Sequence, residues 1–212
     1  MASSGSESND SACDLSKSPV FSSITIDNLR SQETSGIPLN TPWTFWLDKA
    51  VPGVSAAEFK ANLKRIYTVS TVQSFWAVYN HIPDAADIPV RYSYHMMRED
   101  RKPLWEEPYN QHGGTWRFKC WKKDTSRVWK ELLVAVIGES FADCLADGDE
   151  ICGVSVTVRE KDDLVQVWNK LAKMADDATI LAAIQRLLPD VSFPSQYYKQ
   201  HQKHHAYEGS RR

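Results

Sequence analysis

Trp105 and Glu106 are adjacent in the chain, which sets a large π surface directly beside a carboxylate. In a groove, the indole can stack on a flat base while Glu106 accepts two hydrogen bonds from a purine edge that offers only donors. The N1–H and N2–H2 groups of guanine form such an edge, and a methylated, positively charged guanine gains further from lying over an electron-rich ring. This is a nucleotide site without bond-making chemistry. The alternative is a Trp packed at a core edge beside a solvated Glu. Arg159 and Lys161 lie two residues apart at the end of a strand pattern, so both can face one anion, and cationic donors of this kind hold phosphate oxygens. Taken alone, the pair equally describes a solvated strand end. Arg101, Lys102, Lys122 and Lys123 would widen the positive rim.

Other constellations carry less chemistry. Residues 138–142 lack the second glycine of a nucleophile elbow, and there is no phosphate-binding glycine loop and no zinc-protease helix. An enzyme is therefore not expected. Asp143, Asp147, Asp149 and Glu150 form an acidic turn without the ordered ligand spacing of a calcium loop. His201, His204 and His205 could hold a metal only in an ordered tail, and a flexible polar tail is the expected state. No cofactor is implied.

With 212 residues and 42% apolar side chains, one domain with a sizeable core is expected. The formal net charge of −2 argues against coating long stretches of nucleic acid, which needs clustered positive charge, so any such contact should be local. The four cysteines show neither paired metal spacing nor a dense disulfide framework, which fits a reduced cytoplasmic compartment. No stretch is long and apolar enough to span a bilayer.

The elements that would position these residues follow from periodicity. Residues 1–38 are Ser-rich and are expected to be disordered, ahead of a folded domain over 39–199 and a polar tail over 200–212. Alternation of Trp43, Phe45 and Leu47 with polar neighbours predicts a strand, and residues 50–57, with Pro52-Gly53, predict a loop before Phe59 and a second strand over 62–67. A helix is predicted over 71–81, with Ser70 as cap and Gln73 completing a capping box. Its stripe of Val72, Phe75, Trp76 and Tyr79 is wide, so that Trp76 is either a core or half-buried ring or an exposed aromatic patch for a partner helix. Further strands are predicted around Tyr92–Met97, Trp116–Trp121, a hairpin of 151–159 with 164–168, and 193–199. Helices are predicted over 128–141 and 178–188. The sum is an α+β fold in which three helices cover one face of an antiparallel sheet and leave the other free for a ligand.

Ile37-Pro38-Leu39-Asn40, Trp43-Thr44-Phe45-Trp46, the run from Val72 to Asn80, Pro103-Leu104-Trp105-Glu106, Gly113-Gly114-Thr115-Trp116, the run from Val128 to Leu133, Ile137-Gly138-Glu139 and Cys152-Gly153-Val154 together resemble the translation initiation factor 4E family, which binds the 5′ cap of mRNA. The resemblance implies a curved antiparallel sheet backed by three helices, with 7-methylguanine held between two aromatic rings. Those ring positions fall on Phe59 and Trp105, the base-edge carboxylate on Glu106, the residue beside the methyl group on Trp168, and the phosphate arginine on Arg159, with Lys161 as a neighbouring cation. The chain departs from the family at Phe59, where a Trp is usual, at Thr115, where an Arg is usual, and at Leu164, where a Lys is usual. The Phe59 departure is similar to the divergent third class of the family and implies weaker or differently posed cap binding. On the opposite face the resemblance implies a site for a Tyr-x-x-x-x-Leu-hydrophobic helix of a scaffold or repressor, formed by Pro38, Val72, Trp76, Glu131 and Val134, with Lys130 where a Leu is usual. A monomer acting in translation initiation or its regulation is expected. The competing expectation is an interaction-only regulator that has lost useful cap affinity.

Overall fold

The computed structural model describes the backbone of residues 23–51, 53 and 56–201, and the side chains of all these except residues 23–26, 56, 57 and 59. In chain order the main elements are α1 (Ser23–Ser35), β1 (Pro38–Lys49), α2 (Ala56–Asn62), β2 (Lys64–Thr71), α3 (Val72–His81), β3 (Tyr92–Arg98), β4 (Gly114–Trp121), α4 (Thr125–Ile137), β5 (Ile151–Thr157), β6 (Asp162–Asn169), α5 (Ile180–Leu187) and β7 (Ser195–Gln200). The strands form one curved sheet in the order β2-β1-β3-β5-β6-β4-β7, with antiparallel neighbours throughout.

Strand alternation divides the sheet into two faces. Trp43, Phe45, Tyr94, Met96, Trp116, Phe118, Val154, Val156, Val165 and Val167 turn to the main core, where they meet Leu29 of α1, Phe75 and Val78 of α3, Leu132 and Leu133 of α4, and Ile180 and Ile184 of α5. The residues between them form the opposite face, which carries only a small apolar cluster of Trp46, Met97, Cys152 and Trp168. Strand register arranges that face as three rungs. The first runs Thr44, Met97, Gly153, Trp168, Thr115, Lys199; the second Trp46, His95, Ser155, Gln166, Arg117, Tyr197; the third Asp48, Ser93, Thr157, Leu164, Lys119, Ser195.

The three predicted helices are α3, α4 and α5, and two more are present. The expectation that residues 1–38 are disordered fails for α1; residues 1–22 lie outside the described residues. Among the described side chains of this helix, Leu29 anchors it in the core, and hydrogen bonds add to its attachment. The Glu33 carboxylate accepts from the Ser70 amide at 3.0 Å, and the Thr71 hydroxyl donates to the Gln32 carbonyl at 3.0 Å. At the turn into β1, a Cβ on Gly36 would lie 2.5 Å from the Gln32 carbonyl oxygen and 2.7 Å from Thr71 Oγ1, so only glycine lets the helix approach this closely.

The cap of α3 is one residue later than expected. Thr71, still paired with Pro38 in the sheet, accepts from the Ser74 amide, while the Ser74 hydroxyl accepts from the Thr71 amide. The Ser70 amide is already committed to Glu33, and Gln73 instead accepts from the Ile37 amide at 2.8 Å. The predicted loop over 50–57 ends in α2, which carries Phe59, and the second strand starts at Lys64 rather than 62. Helix α4 stops at Ile137 rather than 141, as Gly138 closes its last turn onto the Val134 carbonyl. The polar tail begins later than 200: Gln200 ends β7 and His201 is buried. His204 and His205 lie outside the described residues.

Candidate functional site

Trp105 and Glu106 sit in the turn-rich loop between β3 and β4. The loop is built around Asn110, which is completely buried and donates through its side-chain amide to the carbonyls of Lys102 (3.0 Å) and Leu104 (2.8 Å). The Lys102 amide donates to the Tyr109 hydroxyl at 2.6 Å, and Leu104 tucks under the loop as its apolar anchor. Trp105 is therefore presented from a fixed backbone, half-buried, with Glu106 exposed beside it.

Two contacts join this loop to the other expected site residues. The Asn110 carbonyl lies 2.7 Å from His201 Nδ1, and the His201 ring packs on the Trp168 indole with centroids 4.9 Å apart. On the other side, Lys60 of α2 pairs with Glu107 at 3.1 Å, tying the helix that carries Phe59 to the loop that carries Trp105. The Phe59 side chain is outside the described residues. Trp168 lies on the first rung, only 6% exposed, and its Nε1–H donates to Ser155 Oγ at 2.8 Å.

The cationic side differs from the expectation. Arg159 is engaged by Asp162 through its guanidinium and by Asp163 through its amide, so its charge is partly satisfied within its own turn. Lys161 is exposed at the tip of that turn. Of the wider rim, Arg101 pairs with Glu150 at 2.8 Å and Lys122 with Asp163 at 2.6 Å, which leaves Lys102 and Lys123 without a carboxylate partner among the described residues. Arg117 was missed from sequence. It stands one rung from Thr115 on the same strand face, and its Nε–H donates to Thr115 Oγ1 at 2.9 Å. A guanidinium thus reaches the position where Thr115 supplies none. The period-2 spacing of Thr115, Arg117 and Lys119 was the available signal. The acidic turn is also accounted for: Asp149 accepts from the Asn169 side chain and from the amides of Lys170 and Leu171, and no metal-ligand cluster occurs among the described residues.

On the helical side, the five expected partner-binding residues come together. Pro38 pairs with Thr71, and the Val72 amide donates to the Ile37 carbonyl at 2.9 Å, so both lie where β1 meets α3. Trp76 is half-buried at the core edge, packed edge-on against Phe75 and Tyr79 at 5.1 and 5.7 Å, as the reading of a core or half-buried ring expects. From α4, Lys130 holds its ammonium 5.7 Å from that ring, and Val134 is 36% exposed. Burial, with Asp84 and Glu131 nearby, raises the Tyr79 hydroxyl above its ordinary value. Glu131 therefore stands close enough to α3 to act on it electrostatically.

A family model described as Eukaryotic initiation factor 4E matches residues 38–212. Among curated proteins, the chain is similar to the Eukaryotic translation initiation factor NCBP of Oryza sativa subsp. japonica, 30% identical over 169 residues that span 80% of this chain and 72% of the relative. It is also similar to Eukaryotic translation initiation factor 4E-1 of Phaseolus vulgaris, 39% identical over 64% of this chain and 57% of the relative. Among solved structures, C. elegans eIF4E-3, in complex with the 4E-binding protein Mextli and a cap analog, superposes with a TM-score of 0.70 at 32% identity, covering 79% of this chain and 94% of that one. Ascaris suum eIF4E-3 in complex with an m2,2,7G cap gives 0.67 at 32% identity, covering 78% and 92%. With the seven-stranded sheet, the helical layer and the matched span in agreement, the chain belongs to the eukaryotic initiation factor 4E family.

Proposed function

We propose that this protein binds the 7-methylguanosine 5′ cap of mRNA on the sheet face turned away from α3, α4 and α5, and a helical segment of a scaffold or repressor on the opposite face, acting in cytoplasmic translation initiation or its regulation. The observation that carries the reading is the fixed Trp105-Glu106 loop, coupled through Asn110 and His201 to Trp168 and through Glu107 to the helix bearing Phe59. Trp105 stacks on the base and Glu106 accepts from its N1–H and N2–H2 edge. Trp168 stands beside the methyl group, Phe59 supplies the second aromatic face, and Arg159, Lys161 and Arg117 neutralise phosphate. The replacement of the first ring by Phe59 puts the chain with the third class of the family, in line with its likeness to the two eIF4E-3 structures. Pro38, Val72, Trp76, Glu131 and Val134 form the partner surface.

Titration of the full chain with 7-methylguanosine and unmethylated guanosine dinucleotide cap analogues tests this. Tighter binding of the methylated analogue is expected, with Glu106→Ala weakening it by about 2 kcal/mol or more, as for loss of charge-assisted hydrogen bonds. Equal affinities, or a folded E106A variant with undiminished affinity, reject it. A second reading, an interaction-only regulator, draws support from the internal pairing of Arg159 with Asp162 and from Thr115 and Leu164 in place of cations. It expects no methyl-dependent binding at all. An m2,2,7G analogue adds a useful arm. Its N2 carries no hydrogen, so one of the two bonds to Glu106 is lost, and its affinity should lie below that of the 7-methylguanosine analogue.

A further inference from the structure

Beneath Trp168 runs a chain of buried polar groups that the cap reading does not use. The Trp168 indole Nε1–H donates to Ser155 Oγ at 2.8 Å, Ser155 Oγ lies 2.7 Å from His95 Nδ1, and His95 Nε2 lies 3.5 Å from Asp48 Oδ2. Ser155 is 0% exposed, Asp48 5% and His95 6%. The four residues occupy successive positions across β6, β5, β3 and β1 on one sheet face. No carboxylate or lysine other than Asp48 lies within ion-pair distance of His95 among the described residues.

The donor inventory fixes one end of the chain. An indole nitrogen can only donate, so Ser155 Oγ is the acceptor there; toward His95 Nδ1 the hydroxyl has both a hydrogen to give and a second lone pair to accept with, and the His95 tautomer decides between them. An imidazole that accepts at Nδ1 carries its proton on Nε2, where the Asp48 carboxylate stands at an ion-pair distance, beyond hydrogen-bond reach. Ser155 accepts from Trp168 in either His95 tautomer, and that bond orients the indole plane. Around the ring, Trp46, Met97 and Cys152 fill space but supply no directional contact. The hydrogen-bonded part of the network is Trp168–Ser155–His95, with Asp48 acting on His95 at ion-pair distance only.

We propose that Ser155, held by His95 and Asp48, is a positioning residue that sets the Trp168 indole in the pose that senses the methyl group of the cap, so that methyl selectivity in this chain depends on a hydrogen-bond relay buried in the sheet. The inference rests on the cap-binding reading above. Trp105 and Glu106 contact the base from a separate loop. The relay therefore governs discrimination between methylated and unmethylated guanine more than affinity for guanine itself.

The test measures both cap analogues against the full-length wild type, Ser155→Ala, His95→Gln and His95→Phe, with the Trp168 indole N–H followed by NMR in protein labelled with 15N-Trp and assigned through Trp168→Phe. The expected result is that S155A lowers the ratio of methylated to unmethylated affinity by about three- to tenfold, the range of one buried neutral hydrogen bond, and accelerates exchange of the indole proton. H95Q, whose amide can accept from Ser155 and donate toward Asp48, retains the ratio, whereas H95F loses it. A wild type that binds both analogues equally overturns the cap reading and this inference with it. Discrimination in the wild type that S155A leaves intact overturns the relay alone. Since Ser155 is completely buried, the His95 pair stands as a second arm should S155A fail to fold: equal ratios in H95Q and H95F, whichever way they move, overturn the relay.

Discussion

Arg117 places a guanidinium beside a position that lacks one. Thr115 stands where the resemblance implies a phosphate-binding arginine, yet the Arg117 guanidinium turns back along the strand face to hydrogen-bond Thr115 Oγ1. If it serves the phosphate chain, Arg117→Ala should weaken binding of a cap triphosphate by about 1–3 kcal/mol, should weaken a 7-methylguanosine monophosphate less, and should flatten the salt dependence by about one unit of slope. Isothermal titration at several salt concentrations reads all three. An equal loss for both nucleotides would place Arg117 in the fold rather than in the site. Of the residues proposed for the cap, Trp105, Glu106 and Arg159 suggest themselves in the sequence by type, and Trp168 through the family resemblance. Arg117 was hidden because its role depends on which rung it shares, and Ser155 and His95 because a polar residue inside a strand pattern reads as solvent-facing when the opposite face is assumed bare. The pairing of Arg159 with Asp162 was equally invisible, since a tight turn sets it rather than strand periodicity.

Helices α3 and α4 carry most of the proposed partner surface. Trp76 is braced from below by Phe75 and Tyr79 and covered from the side by Lys130, so a docking helix meets a ring that is already ordered and loses little entropy there. Trp76→Ala is expected to weaken a Tyr-x-x-x-x-Leu-hydrophobic peptide by about 2 kcal/mol or more, the scale of an aromatic anchor, and to leave cap affinity within experimental error, because the two sites lie on opposite sheet faces. Fluorescence anisotropy with a labelled peptide, beside the cap titration, checks both halves; an unchanged peptide affinity would remove Trp76 from the surface. Periodicity made α3, α4, α5 and the central strands readable, since each buries a stripe, whereas β7 buries no residue and shows its place only through pairing with β4. It failed for α1 because the described side chains of this helix offer a single buried Leu, and the helix docks also through Glu33, Gln32 and the space above Gly36. The same limitation moved the α3 cap, for Ser70 and Thr71 are equally good caps until Glu33 takes the Ser70 amide.

Across the whole molecule, the sheet and the helical layer are joined at Arg98. This buried guanidinium, at the end of β3, makes two hydrogen bonds to Glu139 beyond α4, at 2.8 and 2.9 Å, donates to Thr41 Oγ1 and the Ile151 carbonyl, and lies 4.5 Å from the Trp43 ring. Four segments, β1, β3, β5 and the turn after α4, therefore meet at one cation. The Arg98 hydrogen bonds hold the Glu139 carboxyl below its ordinary 4.5, with burial opposing them and the Asn40 amide adding to them. A carboxyl with a depressed folded-state pKa contributes stability that is fully present above its unfolded value and lost as pH falls through the folded one. The protein should thus lose stability below about pH 4.5, and Glu139→Gln should remove that part of the pH dependence while costing about 1–3 kcal/mol at neutral pH, toward the lower end because the Glu139 side chain is 29% exposed. Urea denaturation at pH 7 and pH 4 measures it. Were the wild type and E139Q to lose stability in parallel as pH falls, the acid sensitivity would belong to other carboxylates, and the junction at Arg98 would hold through its contacts with Thr41, Ile151 and Trp43 rather than through its charge pair.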